Sequence, residues 1–504
     1  MVLENVLVRI DFKKNMNITK SDFLRHLQCY KYLWLYKNRK DLIPKDIESE
    51  MERKFDDGYE VEEYAYLLFP NGVDAKDGDF KKAIVKTSKL VSAKKPAIFQ
   101  PTFSVNNLFC RSDIIVFNSK TDHWDLYEVK SATEVKDIYI YDLAFQNVCI
   151  KDSGLKVGKT YVIHVNNSYI RHGEIEPKKL LTVEDVSEEV EKIANETRDQ
   201  IETAWKVLTQ TAEPTARILK QCHDEYTCAF VDYCWRGLPE HSIYDISFSK
   251  DKLNKLLDMG VLRLEDVPAE MITAAKAQKH HEAVKTNKVF IDKKGIEEEL
   301  SELEYPLYFL DYETFSPAIP LFDGYRPYQR IVFQYSLHVQ EKPDAEVKHY
   351  EFLWDKFSDP TKVLADSLLK IIGPKGCVIA WNMGFEAGCN KEMGKRYPES
   401  ANFFIDVNGR MVDLMNSFKK GYYVDRHFKN SASLKAVLPV LVPKLSYDEL
   451  SIHEGMTASN FWRLMIDPAT KKEKAKKIYD NLLKYCELDT LAMVEILRVL
   501  KSVI

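Results

Sequence analysis

The sequence predicts an α/β protein built from two mixed α/β units that are joined by a helical segment. At 504 residues the chain is too long for one ordinary domain. Its 45% hydrophobic and 30% charged content is typical of a soluble globular protein with large cores. Apolar β-like runs alternate with amphipathic helical patterns in residues 1–240 and again in residues 301–504, whereas residues 241–300 show short helical patterns only. These observations predict three segments with those boundaries.

The first unit, residues 1–240, opens with the amphipathic segment SDFLRHLQCYKYLWLYKNR, which predicts one helix capped by Ser21 or Asp22. A second helix is expected at about 48–69. The β-like runs LFCRSDIIVF and HWDLYEVKSA flank the turn sequence NSKTD. The remaining predicted elements are a helix at 135–150, the strand TYVIHV and a long charged helix at 183–211.

The middle segment, residues 241–300, predicts two short helices around Met259-Gly260, followed by a charged and weakly patterned stretch. A spacer is the favoured interpretation. A small helix-hairpin-helix element that grips phosphates is the alternative. In residues 301–504 the predicted strands are LYFLDYETF, RIVFQYSLHV, HYEFLW and CVIAWN, and the predicted helices lie near 360–372, 384–397, 457–466 and 472–500.

Charge and targeting signals limit the possible partners and compartments. The net charge of −5 gives no general attraction to nucleic acid, so binding of that kind would need a local basic groove. No stretch approaches the roughly 20 apolar residues of a membrane span. The segment MVLENVLVRIDFKKN lacks the apolar core of a signal peptide. Nine cysteines in a chain of this length do not suggest a disulfide framework, and a reducing cytoplasm is therefore expected.

Two carboxylates, Asp311 and Glu313, lie one residue apart in the apolar run YFLDYETFS. In a strand they project side by side from one face, while Leu310 and Tyr312 face the other way. Adjacent like charges destabilise a strand unless something positive compensates them. A divalent metal ion, whose charge dominates its surroundings, is the compensation that this pattern predicts.

Two later motifs complete a pattern with this pair. WNMGFEAGCNKEM begins where an apolar strand ends and carries Asn382, Phe385 and Glu386. YCELDTLAMVEIL predicts a helix on which Tyr485 and Asp489 share one face. The three motifs in this order resemble the DEDD exonucleases of the RNase H-like fold, in the subclass with tyrosine in the last motif.

The resemblance implies two-metal hydrolysis of phosphodiester bonds. Asp311, Glu313 and Asp489 would ligate two Mg²⁺ or Mn²⁺ ions about 3.5–4 Å apart. Tyr485 would orient the attacking water. The second motif of the family normally carries aspartate, and here it carries Glu386, whose side chain is one methylene longer.

A second constellation lies in the first unit. Asp113 precedes an apolar run, and Glu128 and Lys130 share a face of the next predicted strand. Two acids can hold a metal ion, and a lysine can position a hydroxide and offset developing charge. This Asp…Glu-x-Lys pattern resembles the PD-(D/E)XK nucleases, and Gln146 resembles the glutamine that follows the lysine motif in RecB-like members. The alternative is a structural acid–lysine pair, which is common in exposed sheets.

The helix before these strands, within FDDGYEVEEYAYLLFP, resembles the first helix of the same family. In that family a side chain of this helix faces the metal. Here Glu62 or Glu63 would have that role, and the pattern does not choose between them.

Three of the nine cysteines, Cys222, Cys228 and Cys234, fall within thirteen residues, and Cys29 lies in the first predicted helix. This arrangement resembles RecB-like nucleases that carry an iron–sulfur cluster, although the spacing of five and five departs from the commoner two and five. The resemblance implies a [4Fe–4S] cluster that joins the first helix to the end of the unit. A zinc site, with His223 as a further ligand, is the alternative.

The chain as a whole resembles an uncharacterised bacterial family that joins a RecB-like nuclease with clustered cysteines to a C-terminal DEDD-type domain. The resemblance implies a metal-dependent nuclease that acts on DNA with single-stranded ends, with a 3′–5′ exonuclease in the C-terminal unit. Repair, recombination and defence against mobile DNA are the expected settings. The alternative is a nucleic-acid-binding scaffold with one or both sites degenerate, which Glu386 favours. The preference for DNA or RNA is left open.

Overall fold

The protein is a mixed α/β structure, as the sequence predicts, with 48% helix and 18% strand. The computed structural model describes residues 17–44, 58–223, 227–447 and 455–504, with the side chains of residues 455 and 456 excepted. The chain forms two compact units. Unit 1 is Met1–Gly237 with Pro317–Tyr328, and unit 2 is Leu238–Ser316 with Gln329–Ile504.

Two sheets form the framework of unit 1. One has six strands in the order β2-β3-β6-β7-β8-β9, and the other has three in the order β1-β5-β4. The pairs β7–β8, β2–β3 and β1–β5 are parallel, and the other neighbours are antiparallel. The strands are β1 (Ile18–Thr19), β2 (Gly72–Asp74), β3 (Ala97–Phe99), β4 (Thr102–Val105), β5 (Leu108–Arg111), β6 (Ile114–Asn118), β7 (His123–Lys130), β8 (Val157–Val165) and β9 (Leu181–Asp185).

The first helix of unit 1 differs from its prediction. Two helices occupy the segment, because Cys29 is extended (φ −164°, ψ 122°) and separates α1 (Lys20–Gln28) from α2 (Tyr30–Asn38). The N-cap is Thr19, and Ser21 and Asp22 lie inside the first turn. Thr19 Oγ1 accepts from the backbone N–H of Asp22, and Asp22 Oδ2 accepts from that of Thr19, which forms a capping box.

Other helices of unit 1 surround the two sheets. Residues 58–66 are helical (α3), and the part of the predicted helix at 48–57 lies outside the described residues. The predicted helix at 135–150 is confirmed as α5. The remaining helices of this unit are α4 (Phe80–Ser92), α5 (Asp137–Asp152), α6 (Pro177–Leu180), α7 (Ser187–Lys192), α8 (Ala194–Leu208) and α9 (Val231–Trp235).

Two further expectations for unit 1 are wrong. The predicted long helix at 183–211 begins as β9, which pairs with β8 through Tyr161 and Asp185, and continues as α7 and α8. The run LFCRSDIIVF is not one strand, because the backbone leaves β5 at Ser112, whose N–H donates to Pro101 O, and enters β6 in the other sheet. Asp113 therefore stands at a junction between two sheets.

Unit 2 is built on a mixed five-stranded sheet in the order β13-β12-β11-β14-β15, with helices on both faces. The pairs β11–β12 and β12–β13 are antiparallel, whereas β11–β14 and β14–β15 are parallel. The strands are β10 (Phe290–Ile291), β11 (Leu307–Phe315), β12 (Ile331–Gln340), β13 (Val347–Leu353), β14 (Cys377–Ala380), β15 (Met411–Asp413) and β16 (Tyr423–Val424). The four predicted strands of this unit are confirmed.

The four helices predicted near 360–372, 384–397, 457–466 and 472–500 are confirmed, and unit 2 also contains shorter helices, most of which the pattern did not indicate. The helices of unit 2 are α10 (Lys250–Asp258), α11 (Ala275–Thr286), α12 (Lys293–Ser301), α13 (Thr361–Leu369), α14 (Gly384–Arg396), α15 (Ala401–Gly409), α16 (Asn416–Lys419), α17 (Leu434–Leu441), α18 (Gly455–Met465) and α19 (Lys472–Val503). No helix among the described residues is long and apolar enough to cross a membrane.

The middle segment, residues 241–300, packs as an integral part of unit 2 rather than as a spacer. Strand β10 pairs with β16, Lys276 Nζ donates to Asn430 O at 2.7 Å, and Lys279 Nζ donates to Gly421 O at 2.9 Å. The first predicted short helix is α10, but single 3₁₀ turns follow Gly260 in place of the second. These contacts place the segment against the edge of the unit 2 core.

Candidate metal centres

Three carboxylates of unit 2 converge, and we call Asp311, Glu313 and Asp489 the acid centre. Each offers an oxygen within 4.8 Å of the oxygens of the other two. Asp311 and Glu313 project from one face of β11, while Leu310 and Tyr312 are buried in the core on the opposite face. Asp489 lies on α19, which packs across the sheet. The predicted same-face arrangement of the pair and its approach to Asp489 are both present.

Side chains from α19 and from the segment that follows α17 surround the acid centre. Tyr485 lies one helical turn before Asp489 and is buried. Its ring packs against that of Tyr447, with centroids 6.1 Å apart, and the Tyr447 hydroxyl donates to Asp489 Oδ1 at 2.5 Å. The Cys486 thiol lies 3.5 Å from Asp311 Oδ2. The sequence did not indicate Tyr447, because it lies 42 residues from its partner and belongs to no spaced motif.

Glu386, the departure from the family pattern, lies in the first turn of α14 and is buried. Within the described residues its Oε2 has no hydrogen-bond partner. Burial, together with the charge of Asp413, raises the pKa of Glu386 to about 8. Asp413 was not among the predicted residues. It accepts from the backbone N–H of Asn382 at 2.9 Å and so fixes the turn that leads into α14.

The acid centre binds protons more tightly than ordinary carboxylates do. Burial and the neighbouring charges of Asp489 and Glu313 raise the pKa of Asp311 well above its usual range. Burial raises the pKa of Asp489 to about 6, although Tyr447 and Lys435 oppose the shift. Carboxylates that cannot all ionise together in a buried site are the groups that a divalent cation would stabilise. The residues present therefore fit Mg²⁺ or Mn²⁺, which prefer oxygen ligands.

The raised pKa values predict an unusual pH dependence of stability. Between the ordinary carboxylate pKa near 4 and the raised values of about 6 for Asp489 and 8 for Glu386, the folded metal-free protein holds protons that the unfolded chain has released. The free energy of unfolding in chelator should therefore fall as pH rises across that interval, on the order of a few kcal/mol. The increment that Mg²⁺ adds should grow over the same interval, because the metal requires the ionised form. Thermal melts with and without chelator measure both trends.

The variant Glu386→Gln is the control for this trend, since it removes the most strongly shifted of the two groups. Its melting temperature in chelator should depend less on pH between about 5 and 8 than that of the parent. An unchanged slope would assign the pH dependence to other residues.

A second cluster lies in unit 1, and we call Lys20, Asp113, Glu128, Lys130 and Asp142 the lysine–carboxylate centre. Glu128 Oε1 accepts from Lys130 Nζ at 2.8 Å and from Lys20 Nζ at 2.7 Å. Lys130 Nζ also donates to Asp142 Oδ2 at 2.7 Å. Asp113 Oδ2 accepts from the backbone N–H of Val129 at 2.7 Å. The predicted Asp113, Glu128 and Lys130 are thus brought together, and Lys20 and Asp142 join them.

Gln146 and Glu62 border the lysine–carboxylate centre. Gln146 Nε2 donates to Glu128 Oε2 at 2.7 Å and to Asp142 Oδ1 at 2.8 Å, whereas its fully buried Oε1 has no hydrogen-bond partner among the described residues. Glu62 is buried and accepts from Tyr66 and Gln100, while Glu63 is exposed. Of the two candidates in the first helix, the structure therefore places Glu62 at the site.

Electrostatics differ sharply between the two centres. Burial opposes ionisation of Glu128, yet the ammonium groups of Lys130 and Lys20 hold its pKa below the ordinary value. Burial also opposes the charge of Lys130, but Asp142 and Glu128 raise its pKa well above the usual range. Burial raises the pKa of Asp113. Here two lysines bond directly to the carboxylates, so an incoming cation would compete with them.

The four predicted cluster ligands line one small cavity of about 80 Å³ in unit 1. Cys29 lies at the α1–α2 junction, and Cys222 lies in a 3₁₀ turn. Cys228 precedes α9, and Cys234 lies within that helix. Cys228 N–H donates to Cys222 O at 2.9 Å. Burial, together with the neighbouring cysteines, raises the pKa of Cys228 to about 12 in the metal-free state.

The sequence left two cofactors open for these cysteines, a [4Fe–4S] cluster and a single zinc ion. A zinc ion with Zn–S bonds of about 2.3 Å brings its sulfurs to about 3.8 Å from one another. Among the described residues, the sets of three or more potential ligands lying within 4.8 Å of one another do not include these cysteines. His223, the alternative zinc ligand, packs edge-on against Trp235.

Comparison with known proteins associates part of unit 2 with one family. A family model described as a domain of unknown function, DUF2779, matches residues 308–433. The matched region contains Asp311, Glu313 and Glu386 and ends before Tyr485 and Asp489. No curated protein matches the chain. The family description assigns no activity.

Proposed function

We propose that the protein is a metal-dependent nuclease whose C-terminal unit hydrolyses phosphodiester bonds at the acid centre. The observation that carries this proposal is the convergence of Asp311, Glu313 and Asp489 within 4.8 Å on a buried face beside Tyr485. These three carboxylates lie close to one another, and the charge of Lys435 offsets theirs only in part. Such a set is stable near neutral pH when divalent cations bind it.

In this proposal Asp311, Glu313 and Asp489 hold the metal ions, and Glu386 approaches from α14. Bound ions supply an activated water and stabilise the attacking and leaving oxygens. Tyr485 positions that water, and Tyr447 fixes the carboxylate of Asp489 through its hydrogen bond. Glu386 is the extra group, and its Oε2, which has no hydrogen-bond partner in the described part of the chain, can accept a proton or a hydrogen bond from a metal-bound water. A DEDD-type 3′–5′ exonuclease uses these roles, and we assign that polarity to this unit.

For unit 1 we propose a second, RecB-like nuclease centre at Asp113, Glu128 and Lys130. Asp113 and Glu128 would bind the metal, with Glu62 as a further acid on the neighbouring helix. Lys130 would orient the hydroxide, and Gln146 would hold Glu128 in place through its hydrogen bond of 2.7 Å. Lys20 helps to compensate the negative charge of Glu128 when no metal is bound. With Glu62 included, the centre holds four carboxylates and two lysines. Its net negative charge is one that one or two divalent cations would offset.

A local basic surface supports binding of nucleic acid despite the net charge of −5. Lys81, Lys82, Lys86 and Lys89 lie close together on the surface of α4 in unit 1, and all four are exposed. Lysines at this spacing can follow a phosphate backbone, and such binding weakens as salt rises. This surface supports a nucleic-acid substrate, and we propose DNA with single-stranded ends, as the resemblance to RecB-like and DEDD nucleases implies.

We also propose that the four cysteines bind a [4Fe–4S] cluster. Protein purified without oxygen should contain about four irons per chain and absorb visible light. The variant Cys228→Ala should lose the iron and unfold at a lower temperature, because the cluster connects the α1–α2 junction to the end of the unit. Iron analysis and visible spectra provide the measurements.

The buried thiol Cys389, in unit 2, gives the matched control, since Cys389→Ala should keep the iron content of the parent. Stoichiometric zinc without iron in anaerobic protein would instead favour the single-ion site.

The nuclease proposal is tested with the full chain and 5′-labelled single-stranded DNA. Stepwise shortening from the 3′ end should require Mn²⁺ or Mg²⁺ and stop in chelator. An RNA of the same sequence measures the sugar preference. The competing function is a scaffold that binds DNA without cutting it. Tight binding with intact substrate at every metal concentration would favour the scaffold and contradict the nuclease.

A further inference from the structure

A second group of potential metal ligands lies on unit 2 outside the acid centre. It consists of His338 on β12, His349 on β13 and Glu487 on α19. Each offers one ligand atom within 4.8 Å of those of the other two. His338 and His349 are direct cross-strand partners, and their rings stack with centroids 4.5 Å apart. The nuclease proposal uses none of these residues.

Hydroxyl groups hold one nitrogen of each imidazole. His338 Nδ1 lies 2.8 Å from Thr490 Oγ1, and His349 Nε2 lies 2.9 Å from Ser336 Oγ. The two hydroxyls are 2.7 Å apart, and Thr490 Oγ1 is 3.1 Å from Glu487 O. Each ring therefore has one nitrogen in a hydrogen-bond chain and one outside it.

The direction of this chain follows from its end. A carbonyl only accepts, so the Thr490 hydroxyl donates to Glu487 O. Ser336 must then donate to Thr490. His338 Nδ1 and His349 Nε2 must carry the protons that reach the two hydroxyls. In neutral rings this places the lone pairs on His338 Nε2 and His349 Nδ1.

The lone pair of His349 Nδ1 therefore meets a carboxylate. Glu487 Oε1 lies 3.7 Å from this nitrogen. Two acceptors that face each other at this distance repel unless a proton or a metal cation lies between them. The third group, His338, is buried, and its ring stacks on that of His349.

We propose that His338, His349 and Glu487 form a binding site for a divalent transition-metal ion of the Zn²⁺ class. Two imidazole nitrogens and one carboxylate are a ligand set that zinc takes in proteins, whereas Mg²⁺ and Ca²⁺ prefer oxygen alone. Bonds of about 2.0–2.1 Å place ligand atoms roughly 3.3 Å apart, which small side-chain rotations achieve here. Thr490 and Ser336 orient the rings, as outer groups do in metal sites.

The open side of this site allows the ion to enter. The side chains of His349 and Glu487 are 22% and 45% exposed, so water can reach the ion and complete its coordination. Glu487 lies between Tyr485 and Asp489 on α19. An ion bound here would connect the helix that carries part of the acid centre to β12 and β13, which lie side by side at one edge of the sheet.

The test is a titration of the full chain, stripped with chelator, with ZnCl₂ in a calorimeter. The variant His349→Ala should bind one zinc ion fewer per chain than the parent. His427→Ala is the matched control, because His427 also pairs with a carboxylate, Asp425, at 2.7 Å in the same unit. Equal zinc stoichiometry in parent and His349→Ala would overturn the proposal.

Cadmium-113 NMR separates this site from the cysteines and from the acid centre, since the chemical shift differs for sulfur, mixed nitrogen–oxygen and all-oxygen ligands. A mixed nitrogen–oxygen signal should disappear in His349→Ala and persist in Asp311→Asn. Glu487→Gln, which preserves volume at a half-exposed position, decides the matter if His349→Ala does not fold, and it should lose the same signal. Retention of the signal in Glu487→Gln would contradict the site.

The orienting role of Thr490 has its own readout. Thr490→Val keeps all three ligands and should weaken zinc binding about 10–100-fold. An unchanged affinity would overturn the assigned hydrogen-bond chain. These measurements follow metal binding rather than cleavage, so their outcome is independent of the nuclease proposal.

Discussion

Replacing Asp311 with Asn should abolish cleavage at the acid centre while leaving the metal-free fold at least as stable as that of the parent. The loss follows because metal ions contribute several kcal/mol to transition-state stabilisation, and about 4 kcal/mol corresponds to roughly a thousandfold in rate. The stability follows because Asp489 and Glu313 repel Asp311 in the buried site. Removing one charge relieves that repulsion.

Two melting curves make this prediction specific. In chelator, Asp311→Asn should melt no lower than the parent. In Mn²⁺ the parent should gain stability by mass action, about 2.7 kcal/mol when the ion is at a hundred times its dissociation constant, and the variant should lose that gain. The exposed Glu473, on the same helix as Asp489, provides the control, since Glu473→Gln should match the parent in both conditions.

A salt-bridge role for Asp311 would give the opposite pattern. The variant would then melt lower in chelator, and Mn²⁺ would change neither protein. Continued 3′ trimming of DNA by Asp311→Asn would remove this residue from the mechanism.

Lys130→Met, at the lysine–carboxylate centre, should have the opposite effect on the stability of the metal-free protein. Glu128 and Asp142 are almost completely buried, and both bond to Lys130 Nζ. Breaking a buried pair by removing one partner costs about 3–5 kcal/mol, although Lys20 retains part of the compensation. The metal-free protein should therefore unfold more easily. Mg²⁺ should restore stability at least as much as in the parent, because the cation replaces a lost positive charge.

Cleavage by unit 1 should fall about 100- to 1,000-fold in Lys130→Met, the usual cost of removing one group that stabilises developing charge. The assay uses the Asp311→Asn background, so that the acid centre does not contribute. Lys159→Met is the matched control, because Lys159 pairs with Asp185 at 2.7 Å on the exposed surface. It should leave stability close to that of the parent, because exposed ion pairs contribute little. Parental cleavage in Lys130→Met would refute the assigned role.

The residue pairs of the two centres that the sequence predicted lie close together along one strand or one helix. Alternation along a strand placed Asp311 beside Glu313, and the four-residue spacing placed Tyr485 below Asp489. Likewise, Glu128 and Lys130 share a face of one strand, and their side chains are bonded to each other. Sequence patterns report such relations because they depend only on the period of one element.

The unpredicted residues come from distant segments. Lys20 lies 108 residues from Glu128, and Tyr447 lies 42 residues from Asp489. No local period connects such pairs, and only tertiary packing brings them together. The break at Cys29 was missed for a similar reason, since the sequence around it contains neither glycine nor proline. Helix propensity continues through that residue, and tertiary contacts override it.

The return of Pro317–Tyr328 to unit 1 has a consequence for how the chain is made. Ala318 and Ile319 are buried in one apolar cluster with Val61 and Ile163. A ribosome delivers the chain from its N-terminus, so this cluster stays incomplete until Leu238–Ser316 has already emerged. Synthesis of the second unit must therefore begin before the first can finish folding. A gene interrupted after residue 237 would yield an unfinished product, and evolution cannot exchange either unit by a single crossover between them.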